Sequence, residues 1–318
     1  MLETSQITAV ATAATAAPDR PFLWRDGERL VRYGRGTVAE LGALLDAEGL
    51  TPSVVLAGGH WGVGGTGAGA RVDTQAGAVA GASGVGPVPI RVPPGPVPEV
   101  ASAIAPELEG RLVARSVALV ACGGGRVIDV AKALAAAYGL RVAAVPTTLS
   151  GAEMSGGHRP LADGRGSEPL HPCLVVNDPS LSASQPFPGL AASAMNALAH
   201  AVEAFYGPRS DQAATGAAGR AAGLIAGGLR PPANEPAAST RADEPAASPG
   251  HDETNAAPGR DELALGSLLA GYALDRAGSG LHHALCQTIV RVSGLAPGAM
   301  LGGRVPCASA RTLHWAVT

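Results

Sequence analysis

Aromatic side chains make up only 3% of this 318-residue chain, and charged ones only 15%. The first scarcity reflects a biased codon supply rather than a mechanism. The second, with 46% hydrophobic residues and 44 glycines, fits a globular α/β protein whose helices are built on alanine. Basic charge is not in excess: 23 Lys and Arg against 26 Asp and Glu leave a net charge of −3, so there is no electrostatic reason to expect a nucleic-acid or anionic-membrane partner. Cysteine is sparse too. Cys122, Cys173, Cys286 and Cys307 lie far apart and form no CxxC pair, which argues against a zinc site or a disulfide framework and leaves them as reduced core thiols. No run of about 18 uncharged apolar residues is available to span a bilayer. The Ala/Thr-rich run from Ile7 to Ala17 follows Glu3 and has no basic flank, so it reads as a frayed tail rather than a signal peptide, and the cytoplasm is the expected location.

The length exceeds what one compact core usually organises, which favours two domains. Over residues 1–187, short apolar runs alternate with Ala-rich helical stretches, the pattern of parallel strands joined by helical crossovers. Strands are expected at Leu30 to Tyr33, Ser53 to Ala57, Ser116 to Ala121, Arg141 to Val145 and Cys173 to Val176, and helices at Val38 to Glu48 and Val127 to Tyr138. The Gly-rich stretch from Gly62 to Val85 reads as a loop with weak helix. In residues 188–318 strand signals fade, and Leu190 to Phe205, Gln212 to Leu229 and Asp261 to Ala277 read as helices. Residues 231–260 repeat Glu-Pro-Ala-Ala-Ser at 235 and 244, a composition that cannot bury enough apolar area to offset ordering entropy and is expected to be a disordered insertion. The fold class expected is an α/β dinucleotide-binding domain with an open, mostly parallel sheet, followed by an all-α domain.

Chemistry enters at Gly123-Gly124-Gly125, between an expected strand and an expected helix. Three glycines there let backbone N–H groups approach a pyrophosphate, and the helix N-terminus adds partial positive charge. By itself such a triplet, in so Gly-rich a chain, reads equally well as a tight turn without a ligand.

Further segments follow in order. Gly123 to Lys132 resembles the GGGSxxDxAK turn of the iron-containing alcohol dehydrogenase superfamily, with Arg126 in place of the serine. Pro146 to Met154 resembles its P-T-T-x-x-G-S-E segment, Asn177 to Pro186 its D-P-x-L-x-x-x-x-P segment, and Met195 to Tyr206 the N-A-x-A-H-A-V-E-A-x-Y helix of the maleylacetate reductase branch. Gly280 to Gln287 is similar to that branch's G-L-H-H-x-x-C-H. The resemblance runs from about Arg32 to Pro306 and implies a dehydroquinate synthase-like arrangement of two domains with a cleft between them. It also implies a C-terminally shortened helical domain, since Thr318 falls about where the family begins its last helices.

By that resemblance Gly123, Gly124 and Gly125 hold a pyrophosphate, Asp129 sits near the nicotinamide end, and Thr147, Thr148 and Ser150 line the cofactor. Gly58 and Gly59 stand where the family often keeps an acidic residue for the adenosine ribose, so NADH and NADPH are both admitted. The metal-dependent branch uses an Asp and three His; Asn196, His200, His283 and Pro297 stand at those positions, and no metal is expected. His200 and His283 are the candidate catalytic residues, to orient a carboxylate or donate a proton, although buried histidines also serve purely structurally. Gln287 replaces a histidine that is a candidate for proton delivery, and only Arg165 stands where the family keeps a lysine. The resemblance implies NAD(P)H-dependent reduction of 2-maleylacetate, or a similar small unsaturated oxo-dicarboxylate, to 3-oxoadipate in aromatic compound catabolism. The expected partner is that dicarboxylate, and a homodimer is compatible with the sequence. Two readings stay beside it: a scaffold that keeps the cleft without the chemistry, and a metal-dependent alcohol dehydrogenase.

Overall fold

The computed structural model describes residues 15–58, 89–112, 117–185, 187–230, 259–285 and 288. Seven strands form one sheet: β1 (Phe22–Asp26), β2 (Arg29–Tyr33), β3 (Ser53–Gly58), β4 (Ile90–Val92), β5 (Ala118–Gly123), β6 (Arg141–Pro146) and β7 (Leu174–Asn177). Their order across the sheet is β1-β2-β7-β6-β5-β3-β4. Every neighbouring pair is parallel except β1 and β2, an antiparallel hairpin turned by Gly27 at φ 58°. The sheet is thus the open, mostly parallel one expected. The expectation omitted β1 and β4, the first a charged edge strand and the second only three residues long.

Helices α1 (Leu41–Ala47), α2 (Val97–Arg111) and α3 (Gly125–Tyr138) cover the two faces. Alternate residues along each strand serve opposite cores, as a pleated strand requires. Val54, Leu56, Leu119, Ala121, Val142 and Ala144 meet Leu108 of α2 and Ile128 and Leu134 of α3. Val55, Val120, Ala143 and Val145 meet Leu41 and Leu45 of α1. Burial on both faces explains why these strands are continuous apolar runs. The single helix expected over Val38 to Glu48 is instead a 3-10 turn, Thr37–Glu40, followed by α1. The Asp178 carboxylate holds the turn by accepting the Val38 N–H at 3.2 Å.

The helical layer is α4 (Phe187–Ala204), α5 (Gln212–Gly228) and α6 (Arg260–Ala277). Its core is shared with the sheet: Trp24, Tyr33, Leu149, Met154 and Val175 belong to the same buried cluster as Leu190, Ile225, Leu268 and Tyr272. Helix α6 is buried nearly all round, and the Tyr33 hydroxyl donates to the Asp261 carbonyl at its start. Apart from Gly259 and Arg260, the expected insertion lies outside the described residues, as do Gly62 to Val85 and Ser116. The chain leaves and re-enters at touching points: a Cβ on Gly259 would lie 2.2 Å from the Gly228 carbonyl oxygen.

A second close approach joins the helical layer to the loop after β6. A Cβ on Gly271 of α6 would lie 2.7 Å from the Gly151 carbonyl oxygen, and one on Gly151 only 3.0 Å from Gly271 Cα. Replacing Gly271 with Ala is therefore expected to cost about 1–3 kcal/mol through overpacking. Gly223→Ala, on exposed helix with nothing within 4 Å, should instead stabilise by about 0.5–1 kcal/mol. Denaturant unfolding of both variants checks the contrast.

Candidate active site

Strand β5 is buried along its whole length and delivers the chain to Gly124, the N-cap of α3. The first amides of a helix have no carbonyl four residues back and remain available to a ligand. The wall of this turn is the loop after β6: the Thr147 N–H donates to the Gly123 carbonyl at 3.1 Å. A Cβ on Gly124 would stand 3.1 Å from the Thr148 side chain, and one on Gly125 2.9 Å from that of Ser150. The glycines are thus brought against all three hydroxyl residues named from the sequence, Thr147 through its backbone and Thr148 and Ser150 through their side chains. A Cβ on Gly123 would meet Val127 Cγ2 at 2.7 Å, so that glycine is needed for strand-to-helix packing.

Asp129 pairs with Lys132 of the same helix at 2.8 Å. The Lys132 ammonium is fully buried and donates to the carbonyls of Ala152, Ser155 and Gly157 at 3.1, 3.1 and 2.8 Å. It holds in place the segment that carries Glu153, which is 1% exposed and whose Oε2 has no hydrogen-bond partner among the described residues. Burial raises the Glu153 carboxyl to about 7, with Lys132 and Arg29 opposing. Glu153, Thr147, Thr148, Asn177, Asp178 and Ser267 line a small crevice.

The histidines form a separate group. Helix α4 presents Asn196, His200 and Glu203 on one face, at the four- and seven-residue spacings of a helical stripe. His200 is 7% exposed, and its Nε2 faces the Asn196 amide nitrogen at 3.2 Å. Its Nδ1 has no partner among the described residues. The His283 ring, in the helical turn at 281–285, stacks on His200 with centroids 5.0 Å apart, and the His282 ring lies 6.4 Å from His200. Burial, followed by the neighbouring His283 and His282, pushes His200 down to about 3, so its ring is neutral. His283 Nδ1 contacts the Glu203 carboxylate.

Gln287 and Pro297 lie outside the described residues. Lys132, Glu153 and Glu203 were not singled out from the sequence. For Glu203 a signal was present in its helical spacing from Asn196 and His200. For Lys132 it was rarity, since this is the only lysine in the chain.

This fold is that of the iron-containing alcohol dehydrogenases. Maleylacetate reductase from Agrobacterium tumefaciens superposes with a TM-score of 0.63 at 21% identity, covering 92% of this chain and 76% of that one. Sulfoacetaldehyde reductase from Bifidobacterium kashiwanohense, solved in complex with NAD+, gives 0.61 at 23% identity over 86% and 72%. Residues 32–155 match the family profile described as iron-containing alcohol dehydrogenase, so the resemblance read from the motifs is borne out over that part of the chain. Within that family the likeness is to maleylacetate reductases. Maleylacetate reductase 1 of Rhodococcus opacus is 35% identical over 181 residues, 56% of this chain and 46% of the relative, so the chain spans about half the length of the curated relatives it matches. No helix among the described residues is long and apolar enough to cross a membrane.

The glycine turn suits a dinucleotide: it joins a buried strand to a helix N-terminus whose first amides lack helical acceptors, and Gly124 and Gly125 carry no side chain where Thr148 and Ser150 close in. The family description names iron and lends no support to the expectation of a metal-free site. The donor set is thin for a metal: Asn196 is a neutral amide and His200 Nε2 faces it, while His283, gripped at Nδ1 by Glu203, keeps only Nε2 to offer. Among the described residues no three His, Cys, Asp or Glu side chains are grouped to hold a metal ion.

Two outcomes follow from this geometry. Gly124→Val should abolish dinucleotide binding in a fluorescence titration with NADH and NADPH while the protein stays folded, because its methyls enter the space the backbone needs to approach a pyrophosphate. Glu153 has a folded-state value above its ordinary one, so its protonated form favours folding, and its contribution is lost as pH rises from about 4.5 to about 7. Glu153→Gln should remove that slope, worth on the order of 3 kcal/mol, since a tenfold change in proton affinity is about 1.4 kcal/mol. Urea unfolding at pH 4.5 and 7.5 measures it.

Proposed function

We propose that the chain is an NAD(P)H-dependent reductase of the maleylacetate reductase type. It reduces the C=C of 2-maleylacetate, or of a similar small unsaturated oxo-dicarboxylate, to 3-oxoadipate without a metal. The observation that carries this reading is the glycine turn at the start of α3, walled by Thr148 and Ser150. The 35% identity to a maleylacetate reductase supports the substrate class. When bound, the nicotinamide supplies the hydride to a carbon polarised by the substrate ketone.

The chain's own residues do the rest. Gly124 and Gly125 let the turn approach its wall closely, and Thr147, Thr148 and Ser150 form that wall. His200 stays neutral, and its buried Nδ1–H is a donor without a protein acceptor among the described residues, suited to orienting a substrate oxygen. His283, anchored at Nδ1 by a carboxylate, is assigned the proton that completes the reduction, delivered from Nε2 of the imidazolium and leaving the Nδ1–H tautomer behind. Its position beside His200 lets one substrate reach both rings.

Reduction of maleylacetate, followed by loss of NADH or NADPH absorbance, tests the assignment. His283→Ala should lose about 100-fold to 10,000-fold in rate with cofactor affinity preserved. His200→Ala should lose rate with a raised KM. Equal activity per folded molecule in both variants, with only melting temperature lowered, would leave the histidines structural and overturn their roles.

A further inference from the structure

Glu203 is the most completely engaged carboxylate near the histidines, and its side chain has no exposed surface. One oxygen, Oε1, accepts the backbone N–H of Gly280 at 2.7 Å and that of His283 at 3.2 Å. The other, Oε2, contacts His283 Nδ1. The first two bonds cap the start of the helical turn at 281–285 from a different helix, and the third grips the ring that the turn carries. Backbone and imidazole are thus fixed by the same group. A Cβ on Gly280 would stand 3.1 Å from Glu203 Oε1, so the glycine is what lets the carboxylate reach the amide.

We propose that Glu203 is the positioning residue of His283, capping its helical turn and fixing the imidazole as the Nδ1–H tautomer with Nε2 left as the free nitrogen. A carboxylate is an acceptor only, so the nitrogen that meets it must carry the hydrogen. In a neutral ring the lone pair then resides on Nε2. The tautomer of a histidine is set by what its other nitrogen bonds, and losing that partner changes which nitrogen can act. His200 shows the contrast: its Nε2 meets an amide N–H, so its hydrogen is on Nδ1, and no carboxylate among the described residues grips it. This inference takes the reductase reading as the reason His283 matters, but the geometry of the Glu203 contact stands without it.

The informative variant is Glu203→Gln. A glutamine keeps the volume and can still cap the amides with its carbonyl oxygen, but its NH₂ now donates to Nδ1 and forces the hydrogen onto Nε2. In long-range ¹H–¹⁵N spectra of ¹⁵N-histidine-labelled protein, with His283→Gln used for assignment, the unmutated protein should show His283 protonated at Nδ1 and Glu203→Gln should show it protonated at Nε2. In the maleylacetate assay kcat should fall roughly 100-fold or more with KM changed far less, the pattern of a residue that acts through another's tautomer.

An Nε2-protonated His283 in the unmutated protein, or the same tautomer in both proteins, overturns the proposal. So does a Glu203→Ala variant that loses melting temperature but keeps the Nδ1–H ring. Should Glu203→Gln fail to fold, the spectrum of the unmutated protein alone still decides the tautomer. If neither protein reduces maleylacetate, the reductase reading fails while the spectra still judge Glu203.

Discussion

The ammonium of Lys132 is the constraint on which the cofactor side of this molecule rests. A buried cation is costly unless every hydrogen finds an acceptor. Here three carbonyls from one loop and the carboxylate of Asp129 surround it. Through them α3, which begins at the glycine turn, is locked to the loop that follows Ser150. That loop in turn reaches the helical layer, since the Gly156 N–H donates to Asp275 of α6 at 3.0 Å and Gly151 presses on Gly271. All other permanently cationic side chains of the protein are arginines. A planar guanidinium cannot converge on carbonyls arranged around a point, whereas a compact ammonium can, which explains why a lysine suits this position.

Two buried glutamates show how the surroundings decide a charge. Burial opposes ionisation of both. At Glu203 that penalty is overcome by the His283 ring and by the amides of His283 and Gly280, which hold the carboxyl below its ordinary range. At Glu153 only one oxygen is served, and Lys132 and Arg29 act from a distance, so the carboxyl rises instead. The first is an anchor that is charged across the working pH range, and the second is a weak acid near neutrality. His200 belongs with the second kind: it is enclosed, neutral and half satisfied.

Much of this was legible in the residues. Strands β3, β5, β6 and β7 announce themselves as apolar runs closed by Gly-Gly, Gly-Gly-Gly, Pro146 and Asn-Asp-Pro, because a parallel sheet covered on both faces demands such runs. The pairing of Gly124 with Thr148 and of Gly125 with Ser150 follows from adjacent strands ending at the same edge. Helices α4 to α6 were placed to within a few residues by their Ala and Leu content. Strand β1 was invisible because Arg25 and Asp26 belong to an edge, and β4 because three residues carry no periodicity. Helical spacing puts Glu203 on the face of Asn196 and His200, but its role stays hidden: its partners arrive from a segment some 80 positions away, and a contact of that separation leaves no mark on local pattern.

The seam between Gly228 and Gly259 has a consequence for how this chain can vary. Two backbones meet there with no side chain between them, so the helices on either side take registry from each other. Loop-closure entropy grows only with the logarithm of length, each doubling costing about 0.6 kcal/mol. The connection between α5 and α6 is therefore a place where the protein can gain or lose sequence, accept a tag or carry an appended peptide at little thermodynamic penalty, so long as the two glycines remain.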